Sequence, residues 1–228
     1  MNLKEYNFEE GELILIDKPT NWTSFDVVNK LRYATRAKKV GHAGTLDPLA
    51  TGLLIICTGK YTKSINNYQK LDKEYIGTFR LGQTTPSYDA ELEPDAEFPT
   101  NHITPELIQK ATFAFLGQQM QLPPIYSAIK KDGKKSYEEA RKGKEVILDP
   151  RPIRIDEFEI TGIEMPVVHF RVKCSTGTYI RSLAYDFGKA LGSGAFLSNL
   201  HRTQIGDFNV SNAHKIEVFI STLPQKFK

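Results

Sequence analysis

Cysteine is scarce. Only Cys57 and Cys174 occur in 228 residues, too few for a disulfide framework, and neither sits in a CxxC or CxxH spacing that would suit zinc. Long apolar runs are missing as well. The longest, Leu53 to Cys57, falls far short of the roughly 20 residues a membrane-spanning helix needs. The N-terminus, MNLKEYNFEEGELILIDK, carries acids where a secretory signal has a basic patch and an apolar stretch. These absences predict a soluble, cytoplasmic protein. There is no internal repeat and no low-complexity segment. With 40% hydrophobic and 25% charged residues, wholesale disorder is excluded.

Familiar catalytic motifs are also lacking. Gly59-Lys60 is followed by Tyr61, and the fifth residue before Gly59 is Leu54, so the P-loop pattern fails twice. Gly192-Ser193-Gly194 runs on into Ala195-Phe196-Leu197, so there is no GxGxxG. No GxSxG elbow and no HExxH helix occur, and the five histidines are scattered. The chemistry must therefore run on polar side chains, with neither metal nor organic cofactor expected.

What is present is an uneven distribution of charge. Net charge is only +3, yet seven Lys or Arg face one acid between Val28 and Lys63. Nine basic residues face five acids between Ser127 and Arg154, whereas Pro86 to Phe98 holds five acids and no base. Two basic segments split by an acidic one suit a face for a polyanion, although either segment alone fits ordinary solvated surface equally well.

The pattern predicts strands at Glu12–Asp17, Leu53–Cys57, Lys73–Gly82, Ile153–Ile160 and Val167–Cys174. It predicts a helix opened by Thr23 with Asp26 three residues on, one from Pro105 to about Leu116 closed by Gly117, and one from Tyr179 to Leu191. A short helix capped by Ser136 is expected within the basic Lys130–Lys144 stretch. Val40–Thr51 and the acidic Thr84–Pro99 read as loops, and Phe208–Lys228 as a strand end and a helix. Strands and helices mix without βαβα alternation, which gives an α+β class with one domain over residues 1–228.

Two stretches stand out chemically. Gly41-His42-Ala43-Gly44-Thr45-Leu46-Asp47-Pro48-Leu49-Ala50-Thr51-Gly52 combines three glycines with one carboxylate. Glycine permits backbone angles and close approaches that other residues avoid. Asp47 before a proline is biased toward extended geometry, which can project its side chain, and on spacing alone a turn that bonds its own loop fits slightly better. Cys174-Ser175-Thr176-Gly177-Thr178-Tyr179-Ile180-Arg181 joins a strand to a helix. Arg181 would lie in the helix's first turn, where the dipole disfavours cations, so a partner carboxylate or phosphate is expected.

Together the segments GELILIDKPTNWTSFDVVNKLR, KKVGHAGTLDPLATGLL, DKEYIGTFRLGQTT, CSTGTYIRSLAYDFG and LHRTQIGDF closely resemble the TruB family, the bacterial pseudouridine synthases acting on uridine 55 of the tRNA T-loop. The resemblance runs in the family's order from Glu12 to Phe208. It implies a pseudouridine-synthase-like catalytic domain with a mixed, mostly antiparallel central sheet flanked by helices. It makes Asp47 the nucleophile, Arg181 the cation beside it, and Tyr75 the ring that stacks on the extruded uracil. It places Tyr179 and Leu200 around the target base, His42 where the flipped base leaves its stack, and Lys18 among the substrate-binding residues. It implies a basic clamping insertion, a thumb, at about residues 124–151, with Lys130, Lys131, Lys134 and Lys135 on phosphates. Ala43 departs from the Thr of many relatives. The resemblance further implies a form without the C-terminal PUA domain acting on tRNA; a monomer with no obligatory protein partner and no membrane is the default expectation.

Overall fold

Leu53 to Cys57 is apolar at every position because the strand that contains it is covered on both faces. In a computed structural model, which describes residues 6–127, 130–131, 134–135 and 148–224, it belongs to β3 (Thr51–Thr58). Leu54 and Ile56 point into a core built with Ile14, Ile16, Val27, Val28, Leu31 and Phe219. Leu53, Ile55 and Cys57 point the other way, toward Ala43 and Ile205. A period of two with both faces buried yields an unbroken hydrophobic run.

The chain forms two compact units. One comprises Met1–Tyr75 and Leu200–Lys228, the other Ile76–Asn199. In the first, β1 (Leu13–Lys18) pairs antiparallel with β3, with Leu13 opposite Cys57 and Lys18 opposite Gly52. Helix α1 (Ser24–Thr35) follows. Its N-cap is Thr23, which accepts from the Asp26 backbone N–H while the Asp26 carboxylate accepts from Thr23 N–H at 2.8 Å, the reciprocal capping box that the spacing predicts. Then come β2 (Val40–Ala43), antiparallel to β3, and a short α2 (Ile65–Gln69). Strand β4 (Lys73–Leu81) begins here.

The second unit continues β4 and adds a small hairpin of β5 (Gln83–Thr84) with β6 (Ala96–Glu97). Helix α3 (Pro105–Thr112) follows, capped by Thr104. Next come β7 (Gly117–Gln121), the paired β8 (Lys130–Lys131) and β9 (Lys134–Lys135), β10 (Arg151–Glu164) and β11 (Val167–Cys174). Helix α4 (Ile180–Ala190) leads to β12 (Ala195–Ile205). The strand order here is β12-β4-β11-β10-β7. Its core is aromatic: Phe79 stacks on Phe170 at 4.1 Å, and Phe158 meets Phe187 edge-on at 5.4 Å.

The later half of β12 lies in the first unit and pairs parallel with β3, placing Arg202 opposite Gly52. β13 (Phe208–Asn209), β14 (His214–Lys215, parallel to β1) and α5 (Ile216–Thr222) complete that unit. The architecture is the expected α+β with a mixed, mostly antiparallel sheet. No helix among the described residues is long and apolar enough to cross a membrane.

Four expectations need correction. Val40–Ala43 is a strand, because Val40 and Ala43 are buried against β3 despite the loop-like composition. The acidic stretch is not loop throughout: Thr84 pairs with Ala96 in the β5–β6 hairpin, and Thr85, Ser87 and Asp89 between those strands are buried. α-Helix ends at Thr112 and tightens to a 3₁₀ turn at Phe113–Phe115, and Gly117 (φ 86°) opens β7. β10 starts at Arg151 and extends to Glu164, well beyond Ile160. The helix expected at Ser136 lies outside the described residues.

The capping box makes a direct prediction. Thr23→Ala removes the N-cap acceptor and should destabilise the protein by about 1 kcal/mol in urea unfolding, with activity per folded molecule retained.

Candidate active site

Three strands bring two buried cations to one rung. Lys18 on β1 and Arg202 on β12 both lie opposite Gly52 of β3. Both side chains are fully buried, at 0% and 1% exposure. Gly52 has φ 100°, and a Cβ there would stand 2.4 Å from the Arg202 carbonyl oxygen, so glycine is the residue that lets β12 approach.

These cations hold the loop that carries Asp47. The Arg202 guanidinium donates to the carbonyls of Leu53 (2.8 Å), Gly44 (3.0 Å) and Thr45 (3.4 Å). Gly44, at φ 87°, turns its carbonyl toward that fork. The Lys18 ammonium donates to Pro19 O (2.9 Å), Trp22 O (2.5 Å) and Pro48 O (3.3 Å). The Asn21 N–H also reaches Pro48 O, at 2.8 Å. Ser24, at the start of α1, accepts from Leu46 N–H (2.9 Å) and donates to Leu46 O (3.2 Å). The residues on both sides of Asp47 are therefore clamped by side chains from β1, α1 and β12. Asp47 itself is half-buried, with a turn bond from Ala50 N–H to its carbonyl.

The electrostatics follow. Burial pushes the Lys18 ammonium down from 10.5 to about 8; the Asp47 carboxylate pulls it up, and the Arg202 cation pushes it further down. The resemblance counts Lys18 as substrate-binding; its ammonium is directed at three backbone carbonyls, one of them that of Pro48 beside Asp47. His42, at the end of β2, is half-buried with its Nδ1 lacking a hydrogen-bond partner. Burial and then the Arg202 charge keep its pKa below the usual value, against the pull of the Gly44 carbonyl, and favour a neutral ring. Tyr75 and Leu200, at the unit's ends of β4 and β12, are both 8% exposed. Leu200 O accepts from the Thr51 hydroxyl at 3.4 Å, and that hydroxyl sits 2.8 Å from His201 Nδ1.

In the second unit Arg181 lies in the first turn of α4, as expected, and is buried. The resemblance pairs Arg181 with Asp47; the carboxylate 3.6 Å from its guanidinium is the equally buried Asp89, which the sequence did not single out. Arg181 also donates to Ser87 O (3.3 Å) and Tyr126 O (3.0 Å). Tyr179, the N-cap of α4, is fixed by Gln121, whose amide accepts from Tyr179 N–H (2.8 Å) and donates to Tyr179 O (3.0 Å). Lys130, Lys131, Lys134 and Lys135 pair as two rungs of a backbone hairpin. Among the described residues no group of acids, histidines or cysteines is arranged to hold a metal ion.

Sequence reasoning missed Arg202, Ser24 and Asp89. Arg202 stands in the quoted LHRTQ segment between His201 and Thr203, a polar run that gives no local signal of burial. Asp89 was hidden among five acids.

Residues 32–180 match the profile described as TruB family pseudouridylate synthase (N terminal domain). The chain is 57% identical over 221 residues to tRNA pseudouridine synthase B of Flavobacterium johnsoniae, covering 94% of this chain and 96% of that protein. The chain belongs to the TruB family. A second relative, tRNA pseudouridine synthase B of Phocaeicola vulgatus, is 52% identical, with 96% of each chain covered. Among solved structures, a chain of a Cbf5-Nop10-Gar1 complex superposes with a TM-score of 0.74 at 28% identity over 94% of this chain. A chain of an H/ACA RNP bound to a substrate RNA containing 2'-deoxyuridine gives 0.71 at 25% over 96%. This chain spans 54% and 58% of those two.

The TruB-family loop carries a pH prediction. Lys18 in the folded protein has a pKa near 8 against 10.5 ordinarily, so the unfolded chain binds more protons between those values. Stability should therefore rise with pH from about 8 toward 10.5. Lys18→Met should flatten that rise in urea midpoints measured across the window, and should lower stability at all pH values by removing the ammonium donor from the Pro19 and Trp22 carbonyls and one of two donors from Pro48 O.

Proposed function

We propose that this protein is a tRNA pseudouridine synthase that converts uridine 55 of the T-loop to pseudouridine. The observation that carries the reading is the Asp47 loop: the family's signature sequence, clamped on both sides of its one carboxylate by the buried Arg202 and Lys18. A rigidly held carboxylate suits a reaction whose main demand is positioning.

The reaction breaks the N1–C1′ glycosidic bond, turns the uracil and forms a C5–C1′ bond. The hydrogen on C5 leaves as a proton and N1 gains one, so no oxidant or cofactor is consumed. Asp47 is the nucleophile, and as a carboxylate it can attack either sugar or base. Tyr75 offers its ring to the extruded uracil, with Leu200 and Tyr179 beside the base. Arg181, fixed by Asp89 and two carbonyls, supplies positive charge to the reacting groups. His42 braces the T-loop where the base leaves its stack, and its neutral ring suits that packing role. The lysines at 130, 131, 134 and 135 meet phosphates without reading sequence. The enzyme works in the cytoplasm as a monomer comprising a single catalytic domain with a basic thumb.

Release of tritium from tRNA labelled at C5 of uridine tests this directly. Wild-type protein should release it, a chelator should leave the rate unchanged, and changing uridine 55 to cytidine should abolish release. Asp47→Asn should bind the tRNA and release none. Release from the cytidine-55 tRNA would move the target elsewhere. Release by Asp47→Asn would remove Asp47 as nucleophile.

A further inference from the structure

Helix α1 connects the Asp47 loop to a second surface. At its start, Ser24 bonds Leu46 and the preceding Asn21 bonds Pro48. From that point a groove of about 390 Å³ passes Trp22 and Asp26 to Asn29 and Lys30. The same two residues begin a larger groove of about 730 Å³, which continues to the helix end. The helix has 12 residues, so the path runs on the order of 18 Å from the Asp47 loop.

The larger groove is amphipathic in a particular way. Its floor is apolar, formed by Ala34, Ile220 and Leu223, and its rim carries Lys30, Arg32 and Arg36. Lys30 reaches Glu217 at 3.4 Å. Among the described residues no ion pair engages Arg32 or Arg36. Asp26, the other nearby acid, is occupied by the Thr23 cap. Tyr33 stands between the cations with 89% of its surface exposed. Lys38 and Lys39, both exposed, extend the positive charge beyond the helix. An exposed aromatic ring flanked by unengaged guanidinium groups over an apolar floor is the arrangement that binds a single-stranded nucleic acid, phosphates on the rim and a base on the ring. A second copy of this chain would instead bring the same cations against one another.

We propose that this groove holds an unpaired stretch of the substrate tRNA lying outside the T-arm, a second anchor reached along α1 from the Asp47 loop. The inference rests on the tRNA reading above. Arg32 and Arg36 contact phosphates, and Tyr33 stacks on one base. The anchor raises affinity for whole tRNA and takes no part in the chemistry.

The test compares a full-length tRNA transcript with an isolated T-arm stem-loop, using wild type, Arg32→Gln/Arg36→Gln and Tyr33→Ala. Tritium release from the stem-loop by wild type reports the underlying reading independently of the groove. The double variant should bind full-length tRNA about tenfold more weakly, with a salt slope smaller by about 2. Tyr33→Ala should weaken it about tenfold at unchanged slope. Both variants should bind and turn over the stem-loop as wild type does. Wild-type affinity of both variants for full-length tRNA would overturn the proposal. So would equal weakening for both RNAs, which would place the groove in T-arm binding. A dimer of wild type that Tyr33→Ala dissociates would assign the groove to a second copy and overturn it too.

Discussion

A single rung of the first unit governs its chemistry. Gly52 lies between Lys18 on one neighbouring strand and Arg202 on the other. Without a side chain at that position, β12 can close to within van der Waals range of β3, and the two cations can turn toward the loop that follows β2. Burying two like charges is costly, and a fully desolvated cation needs every donor matched. Here backbone carbonyls accept from the Lys18 ammonium at three points and from each of the three Arg202 guanidinium nitrogens. Because Gly44, Thr45 and Pro48 supply part of that satisfaction, the loop around Asp47 cannot relax without leaving buried donors unpaired. The conformation of the loop is thus coupled to the stability of the sheet beneath it.

The second unit solves a related problem with different parts. Arg181 sits where the α4 dipole disfavours a cation, and Asp89 with the Ser87 and Tyr126 carbonyls offsets that placement. Tyr88, at φ 62°, takes a left-handed turn that presents its neighbours Ser87 and Asp89, and its ring stacks on Tyr185 of α4 at 4.1 Å. Burial of that phenol pushes its pKa up to about 12, so it stays neutral at any working pH. The acidic segment therefore anchors to α4 through both a carboxylate and a ring.

Much of this was legible in the sequence because local rules and tertiary demands agree. Thr23 with Asp26 marked the helix start, the apolar run 53–57 marked a doubly covered strand, and the alternation in 167–174 marked β11 over its observed length. The glycine-rich loop with its one carboxylate was conspicuous for the same reason, since Gly44 and Gly52 are needed for backbone geometry there. What the sequence concealed was pairing at long range. Val40–Ala43 looks like a loop until β3 is placed beside it. Asp89 is one acid among five until Arg181 selects it across 92 positions. Arg202 contacts a loop 157 residues away, which no window of local sequence contains.

The carbonyls of Gly44 and Thr45, which Arg202 holds, lie three and two residues before Asp47, so its fork is expected to bear on the reaction through that loop. Arg202→Lys keeps the positive charge and gives up the planar fork that spans three carbonyls. The most direct measurement is the single-turnover rate of tritium release from C5-labelled tRNA by this variant, alongside its tRNA affinity and its urea midpoint. Arg202→Lys should fold and bind tRNA as wild type does, with a rate reduced on the order of 10²-fold, the loss that a misplacement of about an ångström causes. A wild-type rate in the folded variant would show that the Asp47 loop does not depend on the Arg202 fork.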